Sequence, residues 1–322
     1  MAIATTGNIR NLSGDLYTAS DGTTPFLDAI WSRGKAGGRR ISHSQEFIVS
    51  NSYELRAPFQ PDISEDDSII APPPVFTGRE QAANVVQIYH RTIAVTYVAQ
   101  GNFDALDGVN LANQSNNVQD ELGWQTEVEL RNIRRDLNFT TINGVYQFTR
   151  GNTAVAPRSR GVIPSITENL FPASGATLTI PMINDALKNS IVNGLVATGI
   201  ELWVNPQMLN VINEMALLIP GQSQPATRTE AGVAIVSILT NYGWLPVYHD
   251  AMIPEDVILG ANIGDLAIVE KPYDSVGVSR NAFGALFIEP LGKRGASEEH
   301  QIFGEMGTDH GFENRHFIID LR

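Results

Sequence analysis

His249 next to Asp250 is the nearest this 322-residue chain comes to a catalytic constellation. A carboxylate that orients an imidazole is two-thirds of the set that activates a serine nucleophile. No serine nearby sits on a recognisable nucleophile turn, so the pair reads first as ordinary surface or core-edge polarity. An α/β enzyme with a dispersed site, a hydrolase for instance, is the alternative; it requires a concave pocket with convergent polar groups around His249 and Asp250. The other five histidines, His43, His90, His300, His310 and His316, are scattered. His310 and His316 stand six apart across a turn, which is not a helical metal-ligand spacing. Asp104 and Asp107 lack the alternating acids, the sixth-position glycine and the twelfth-position glutamate of a calcium loop. There is no GxSxG, no Gly-rich loop closing on Gly-Lys-Ser or Gly-Lys-Thr, no HExxH and no GxGxxG after a strand. With no cysteine, disulfides, thiolate metal sites and thiol chemistry are excluded. The expectation is a chain without catalytic residues, cofactor or metal.

The chemistry that remains is recognition by charge. Residues 57–81 hold five prolines, Pro58, Pro61, Pro72, Pro73 and Pro74, and the acids Asp62, Glu65, Asp66 and Asp67. A connection of this length exceeds the usual hairpin turn several-fold, and proline stiffens it. A stiff loop with an acidic end suits reaching another molecule. Arginines cluster elsewhere: Arg131, Arg134 and Arg135 in one run, and Arg150, Arg158 and Arg160 in another. The second patch either meets the acidic loop of a neighbour or is simply solvated. A basic knot at residues 33–40 either grips an acidic partner or is a flexible, solvated stretch. Eighteen arginines against four lysines, Lys35, Lys188, Lys271 and Lys293, reflect either interface use of the planar guanidinium or base composition. Net charge is −13, which disfavours a general nucleic-acid binder.

These groups need elements to hold them. The chain's longest helical pattern runs over residues 117–143. Val118, Leu122, Leu130, Ile133 and Leu137 form one apolar stripe of period 3.6, with Thr126 filling the gap. Asn117 is the candidate cap and Gly144 the stop, and acids precede arginines in the sense the helix dipole favours. Before it, residues 1–44 read as an arm, with a short helix near residues 25–31 capped by Thr24 and opened by Pro25. Residues 45–98 read as one long hairpin: Phe47, Val49, Tyr53 and Leu55 alternate along the outgoing arm, and 85–98 is the β-rich return. Residues 181–265 change character. Helices at 181–196 and 206–218 interleave with strands at 199–204, 233–239, 245–249 and 257–259, a compact α/β piece. Strands return at 266–270, 285–289, 301–303 and 315–321.

Hydrophobic residues make up 43% of the chain, enough for a packed core. No apolar run reaches the roughly 18–20 residues that span a bilayer, and the N-terminus lacks a basic region followed by an apolar core. The sequons opened by Asn11, Asn113 and Asn138 therefore carry no expectation of glycosylation.

The order of parts, with Asn84-Val-Val-Gln-Ile-Tyr-His-Arg-Thr-Ile-Ala-Val, Glu127-Val-Glu-Leu-Arg-Asn-Ile-Arg-Arg-Asp-Leu-Asn and the closing Glu313-Asn-Arg-His-Phe-Ile-Ile, resembles the SU10-type major capsid proteins of tailed bacteriophages. Residues 239–247 and 252–259 fit the same family in order. The resemblance covers roughly residues 45–322 and implies an α+β, Hong Kong 97-like fold. Its parts would be an N-terminal arm at 1–44 and an extended β-hairpin loop at 45–98. A peripheral domain at 99–180 and 266–322 would carry the spine helix, about 117–143, and an inserted axial domain would occupy 181–265. It implies a structural virion protein without catalysis, self-assembling as pentamers and hexamers into an icosahedral or prolate shell around phage DNA, with no sequence-specific DNA contact and no membrane. A minor virion or decoration protein is the other structural alternative. Assembly in the host cytoplasm and separate scaffold, portal and decoration proteins are further implications. The short stretch before the hairpin argues against a fused scaffold. Some relatives weld their shells by a Lys–Asn bond from the loop; no lysine lies between Lys35 and Lys188, so a non-covalent shell is expected. Its subunit interface would pair Asp62, Glu65, Asp66 and Asp67 with arginines drawn from Arg131, Arg134, Arg135, Arg158 and Arg160.

Overall fold

The computed structural model describes residues 22–322 apart from 54, 56, 102–120, 197, 218–226, 230–231, 235–236, 273, 276–277, 280–285 and 293–294. Asp104, Asp107 and the expected start of the long helix at residues 117–120 lie outside the described residues. Along the chain, α1 (Pro25–Arg33) leads into β1 (Arg39–Ile41), β2 (Glu46–Ser52), β3 (Glu80–Val85) and β4 (Gln87–Thr96). Next come α2 (Tyr97–Gly101), α3 (Glu121–Asn143), α4 (Val162–Ser165) and β5 (Leu170–Pro172). Then α5 (Ile180–Val192), β6 (Ile200–Val204), α6 (Pro206–Leu217), β7 (Thr227–Thr229), β8 (Gly232–Ala234), β9 (Ser237–Thr240), β10 (Gly243–His249) and β11 (Val257–Asn262) follow. The chain closes with β12 (Ala267–Lys271), β13 (Asp274–Ser275), β14 (Val278–Ser279), β15 (Leu286–Pro290), β16 (Ser297–Asp309) and β17 (Phe317–Asp320). No helix among the described residues is long and apolar enough to cross a membrane.

The six-stranded sheet, ordered β5-β17-β11-β6-β10-β9, is a wall between two cores. A strand turns alternate side chains to opposite faces. Thus Trp203 of β6, Leu259 of β11 and Ile318 of β17 enter one core, with α1 and α3. Leu202, Val204, Ile258, Phe317 and Ile319 enter the other, under α5 and α6. All five residues of β6 are buried, which is why 200–204 is apolar on both faces except at Glu201, the partner of Arg33. The wall crosses the sequence boundaries expected for an inserted piece. Strands β5 and β17, from outside residues 181–265, belong to it: β17 pairs with β11, and β5 pairs with β17. Close approach demands glycine at Gly260, where an added Cβ would lie 2.0 Å from the Phe317 ring.

The second sheet corrects the expected hairpin. The outgoing arm β2 returns on β3, with a register shift between Ile48 and Ser50, and not on the 85–98 run. That run becomes β4, which pairs along ten residues with the long β16. Val86, whose amide donates to the Gln45 carbonyl (2.9 Å), separates the two strands. The core decides the outcome: β4 turns Tyr89, Ile93 and Val95 onto Ile133 and Leu137 of α3, burial that a solvated hairpin does not offer. On its other edge β16 carries β15 and β12, and β1 extends β12 in parallel.

Helix α1 starts at Pro25 as expected, but Thr24 makes no side-chain cap. Its hydroxyl instead accepts from Arg134 Nε (2.8 Å). Capping comes from far along the chain: Asp250 Oδ2 accepts from the Phe26 amide at 3.1 Å, and Asn138 Oδ1 accepts from the Leu27 amide at 3.1 Å. An anion at an N-terminus meets both the free amides and the dipole. Asn138 is itself fully buried, so its sequon is not accessible to modification.

The basic knot is neither of the two things expected of it. Its cations pair with acids of the same chain: Arg33 with Glu201, Arg39 with Glu270 (3.8 Å), and Lys35 (3.8 Å) and Arg40 (2.8 Å) with the buried Asp309. Parallel pairing of β1 on β12 sets them there. The knot fastens the α1–β1 segment to both sheets. Burial pushes the Glu201 carboxyl above its ordinary range, against the pull of Arg33.

Candidate assembly interface

Strands β2 and β3 lift residues 53–79 away from the body. Every described residue from 53 to 81 is exposed. Hydrogen bonds involving this segment's side chains are local among the described residues. Ser64 Oγ donates to Asp67 Oδ2 (2.6 Å) and accepts from the Asp67 amide (3.1 Å), and Ser68 Oγ donates to the Glu65 carbonyl (2.6 Å). These fix a single 3-10 turn, Asp67–Ile69, beside the acids Asp62, Glu65 and Asp66. Sequence reading singled out those acids and passed over what surrounds them. Leu55, Phe59, Ile63, Ile69, Ile70 and Phe76 are all exposed, Phe76 at 93% and Ile69 at 80%. A Pro-stiffened loop gains nothing from such side chains in water. Each is worth about 1.5–3 kcal/mol once covered, and their concentration in one projecting segment points to an interaction site. The readable signal was apolar residues spaced through a stretch too proline-rich for a core strand.

The arginines paired with these acids in the sequence reading fall into different environments. Arg134 donates to Asp28 and stacks over Trp31 (5.2 Å), so it joins α3 to α1 within the subunit. Arg131 pairs with Glu127 (2.5 Å) one turn away on an exposed face. Arg160 lies over the Tyr146 ring (4.9 Å). Arg135 is half-buried, and its Nε is shielded from solvent without an acceptor. Arg158 is exposed; its backbone bridges to Gln147, and among the described residues its guanidinium has no carboxylate partner. Arg150, the remaining cation of that patch, pairs with Glu46.

The residues that came nearest to catalysis serve the fold. His249 is exposed while Asp250 is buried, so the two face apart. The Asp250 carboxylate is occupied by Phe26 N, Asn138 Nδ2 (2.9 Å) and Met252 N (2.8 Å). It is a structural acceptor, which removes the basis for a hydrolase site there. Among the described residues no group of His, Asp and Glu could hold a metal. His316 accepts from the Asn262 amide at Nδ1 (3.2 Å), so its Nε2 carries the proton that it donates to the His310 carbonyl (2.9 Å).

Burial pushes His316 down to about 4. The same cause, reinforced by His316 and Arg160, pushes His310 to about 4. Both are neutral in the folded chain. Their contribution is complete above the unfolded value near 6.5 and is lost as pH falls from there towards 4. Unfolding free energy of the isolated subunit is expected to fall by roughly 2 kcal/mol per histidine at pH 5 relative to pH 7.5. Denaturant melts across that range check this, and a flat profile contradicts it.

Comparison with known proteins adds to this geometry. The family model described as SU10 major capsid protein matches residues 2–321. No curated protein matches the chain. Among solved structures, the cyanophage A-1(L) capsid asymmetric unit superposes with a TM-score of 0.64 at 12% identity, covering 97% of this chain and 96% of that one. A capsid chain of the native GTA particle gives 0.59 at 9% identity, covering 98% and 93%. The holo-SrpI encapsulin complex from Synechococcus elongatus PCC 7942 gives 0.57 at 10%, covering 96% and 92%. At such identities these likenesses establish the fold, Hong Kong 97-like, while the family match covers nearly the whole chain.

Proposed function

Since this chain belongs to the SU10 major capsid protein family and is a non-catalytic, self-assembling subunit of a phage shell, we propose that each copy extends residues 53–79 over a neighbour as the shell closes. The observation that carries this reading is the apolar character of a loop that stays exposed among the described residues of its own subunit. In this reading the shell is built of pentamers and hexamers without covalent welds. Residues 1–44 act as the arm, 45–98 as the extended loop, and 99–180 with 266–322 as the peripheral domain along α3; 181–265 act as the axial domain around the symmetry axes. Apolar burial supplies the affinity. The acids Asp62, Glu65, Asp66 and Asp67 set register against arginines of the neighbour, each rim pair adding about 0–1 kcal/mol. Scaffold, portal and decoration proteins are separate chains, and the shell assembles in the host cytoplasm around DNA that it does not read. The net charge of −13 supports weak DNA contact.

Negative-stain microscopy with light scattering tests the reading, on the purified chain alone and with scaffold co-expressed. Closed particles or five- and six-membered rings are expected. A 35 kDa monomer at every concentration and salt overturns it.

A further inference from the structure

The loop's acidic and apolar character specifies where on a neighbour it fits, and a groove among the described residues meets both requirements. It runs between β4 and the second half of α3, where a cavity of about 490 Å³ shares Arg91, Asp136 and Phe139 with a second of about 320 Å³. Its exposed apolar side chains are Phe139 and Val145, at 53% and 69%. The groove's own acid, Asp136, is held by Arg91 at 2.5 Å, and Arg91 also reaches Glu129 at 3.9 Å. That leaves Arg158 at one end and Arg135 at the other. Neither guanidinium has a carboxylate partner among the described residues, and Arg135 Nε is buried with no acceptor. A buried donor left in this state calls for an acceptor from outside.

The other grooves do not offer this. On the opposite face of α3, the groove of about 620 Å³ contains Arg39, engaged with Glu270, and Arg134, engaged with Asp28, both stacked on Trp31. At the base of the hairpin, Arg150 is engaged with Glu46. Segment 62–70 carries four acids without a cation partner among the described residues, interleaved with the exposed Ile63, Ile69 and Ile70. It matches an apolar floor ending in unpaired arginines in both charge and hydrophobicity.

Resting on the shell reading, we propose that segment 62–70 of one copy seats its isoleucines on Phe139 and Val145 of a neighbouring copy, its acids meeting Arg135 and Arg158. The chain's lack of cysteine makes the test clean, because every disulfide is then an introduced one. Particles are co-assembled from copies carrying Asp66→Cys, Ile63→Cys or Ile70→Cys and copies carrying Arg158→Cys or Val145→Cys, oxidised, and run on a non-reducing gel. A disulfide needs the two Cα atoms within about 7 Å. The expected result is a dimer band in at least one mixed particle that is absent from each single-variant particle and from dissociated subunits. Val145→Cys leaves the groove's charges intact, so an assembly defect of Arg158→Cys does not blunt the test. Ile288→Cys, on the opposite face of α3, is the competitor. Dimers through Ile288→Cys alone, or intact particles with no dimer in any combination, overturn the groove and leave the shell reading standing. Failure of unsubstituted copies to form particles overturns both.

Discussion

Ile69→Asp combined with Ile70→Asp is expected to abolish closed shells while leaving the subunit folded. The two side chains are 80% and 79% exposed. Exposed substitutions away from packed features usually change stability by within about 0.5 kcal/mol. Assembly is another matter. If a neighbour covers both isoleucines, their loss removes roughly 3–6 kcal/mol of apolar burial per copy, and each new carboxylate adds a desolvation cost. At about 1.4 kcal/mol per tenfold, that weakens each loop contact by roughly a hundredfold to ten-thousandfold. Because every copy in a shell donates one loop, the loss repeats throughout the particle. Sedimentation of the double variant is expected to show subunits or small rings, with a melting profile like that of the unsubstituted subunit. Unchanged particle yield means that the loop's apolar side chains play no part in closure.

Asp250→Ala is expected to act on the opposite side of the ledger, breaking the subunit itself. The buried carboxylate receives three donors, Phe26 N, Asn138 Nδ2 and Met252 N, from three separated parts of the chain. Alanine leaves all three without that acceptor in the interior, and it uncaps α1, whose Phe26 packs edge-on to Trp203 at 5.0 Å. Each buried donor left unsatisfied costs about 1–3 kcal/mol, so losing the acceptor for three of them is expected to cost roughly 3–5 kcal/mol. In a chain of this size that lowers the melting temperature by roughly 5–10 °C. Thermal and urea melts of the isolated subunit measure it. A cost under about 1 kcal/mol shows that the network does not hold α1 in place.

Those two sites mark where the sequence was legible and where it was not. Periodicity is local, so α3 showed itself through Ile133 and Leu137, and β6 and β11 through their apolar residues, interrupted in β6 by Glu201. Pairing partners leave no local trace. The run 87–96 reads as a strand from its own residues, but its partner β16 lies some 200 positions away, and only the core beneath Tyr89 and Ile93 decides between that partner and β2. The same holds for Asp250, which reads as half of a triad beside His249 and is an acceptor for a helix more than 200 residues earlier. Arg33, Arg39 and Arg40 read as a free patch because Glu201, Glu270 and Asp309 are remote in sequence. In the loop, charge drew the reading to Asp62, Glu65, Asp66 and Asp67. Ile69, Ile70 and Phe76 were legible as apolar but not as exposed, since exposure depends on what the loop fails to touch.

Electron cryomicroscopy of assembled particles, resolved to side chains, tests the central claim most directly. The account predicts a closed shell of this chain in which residues 53–79 of every copy lie against a neighbour, with Ile69, Ile70 and Phe76 withdrawn from solvent. A shell in which that segment faces bare solvent, or in which its apolar side chains stay uncovered, contradicts it.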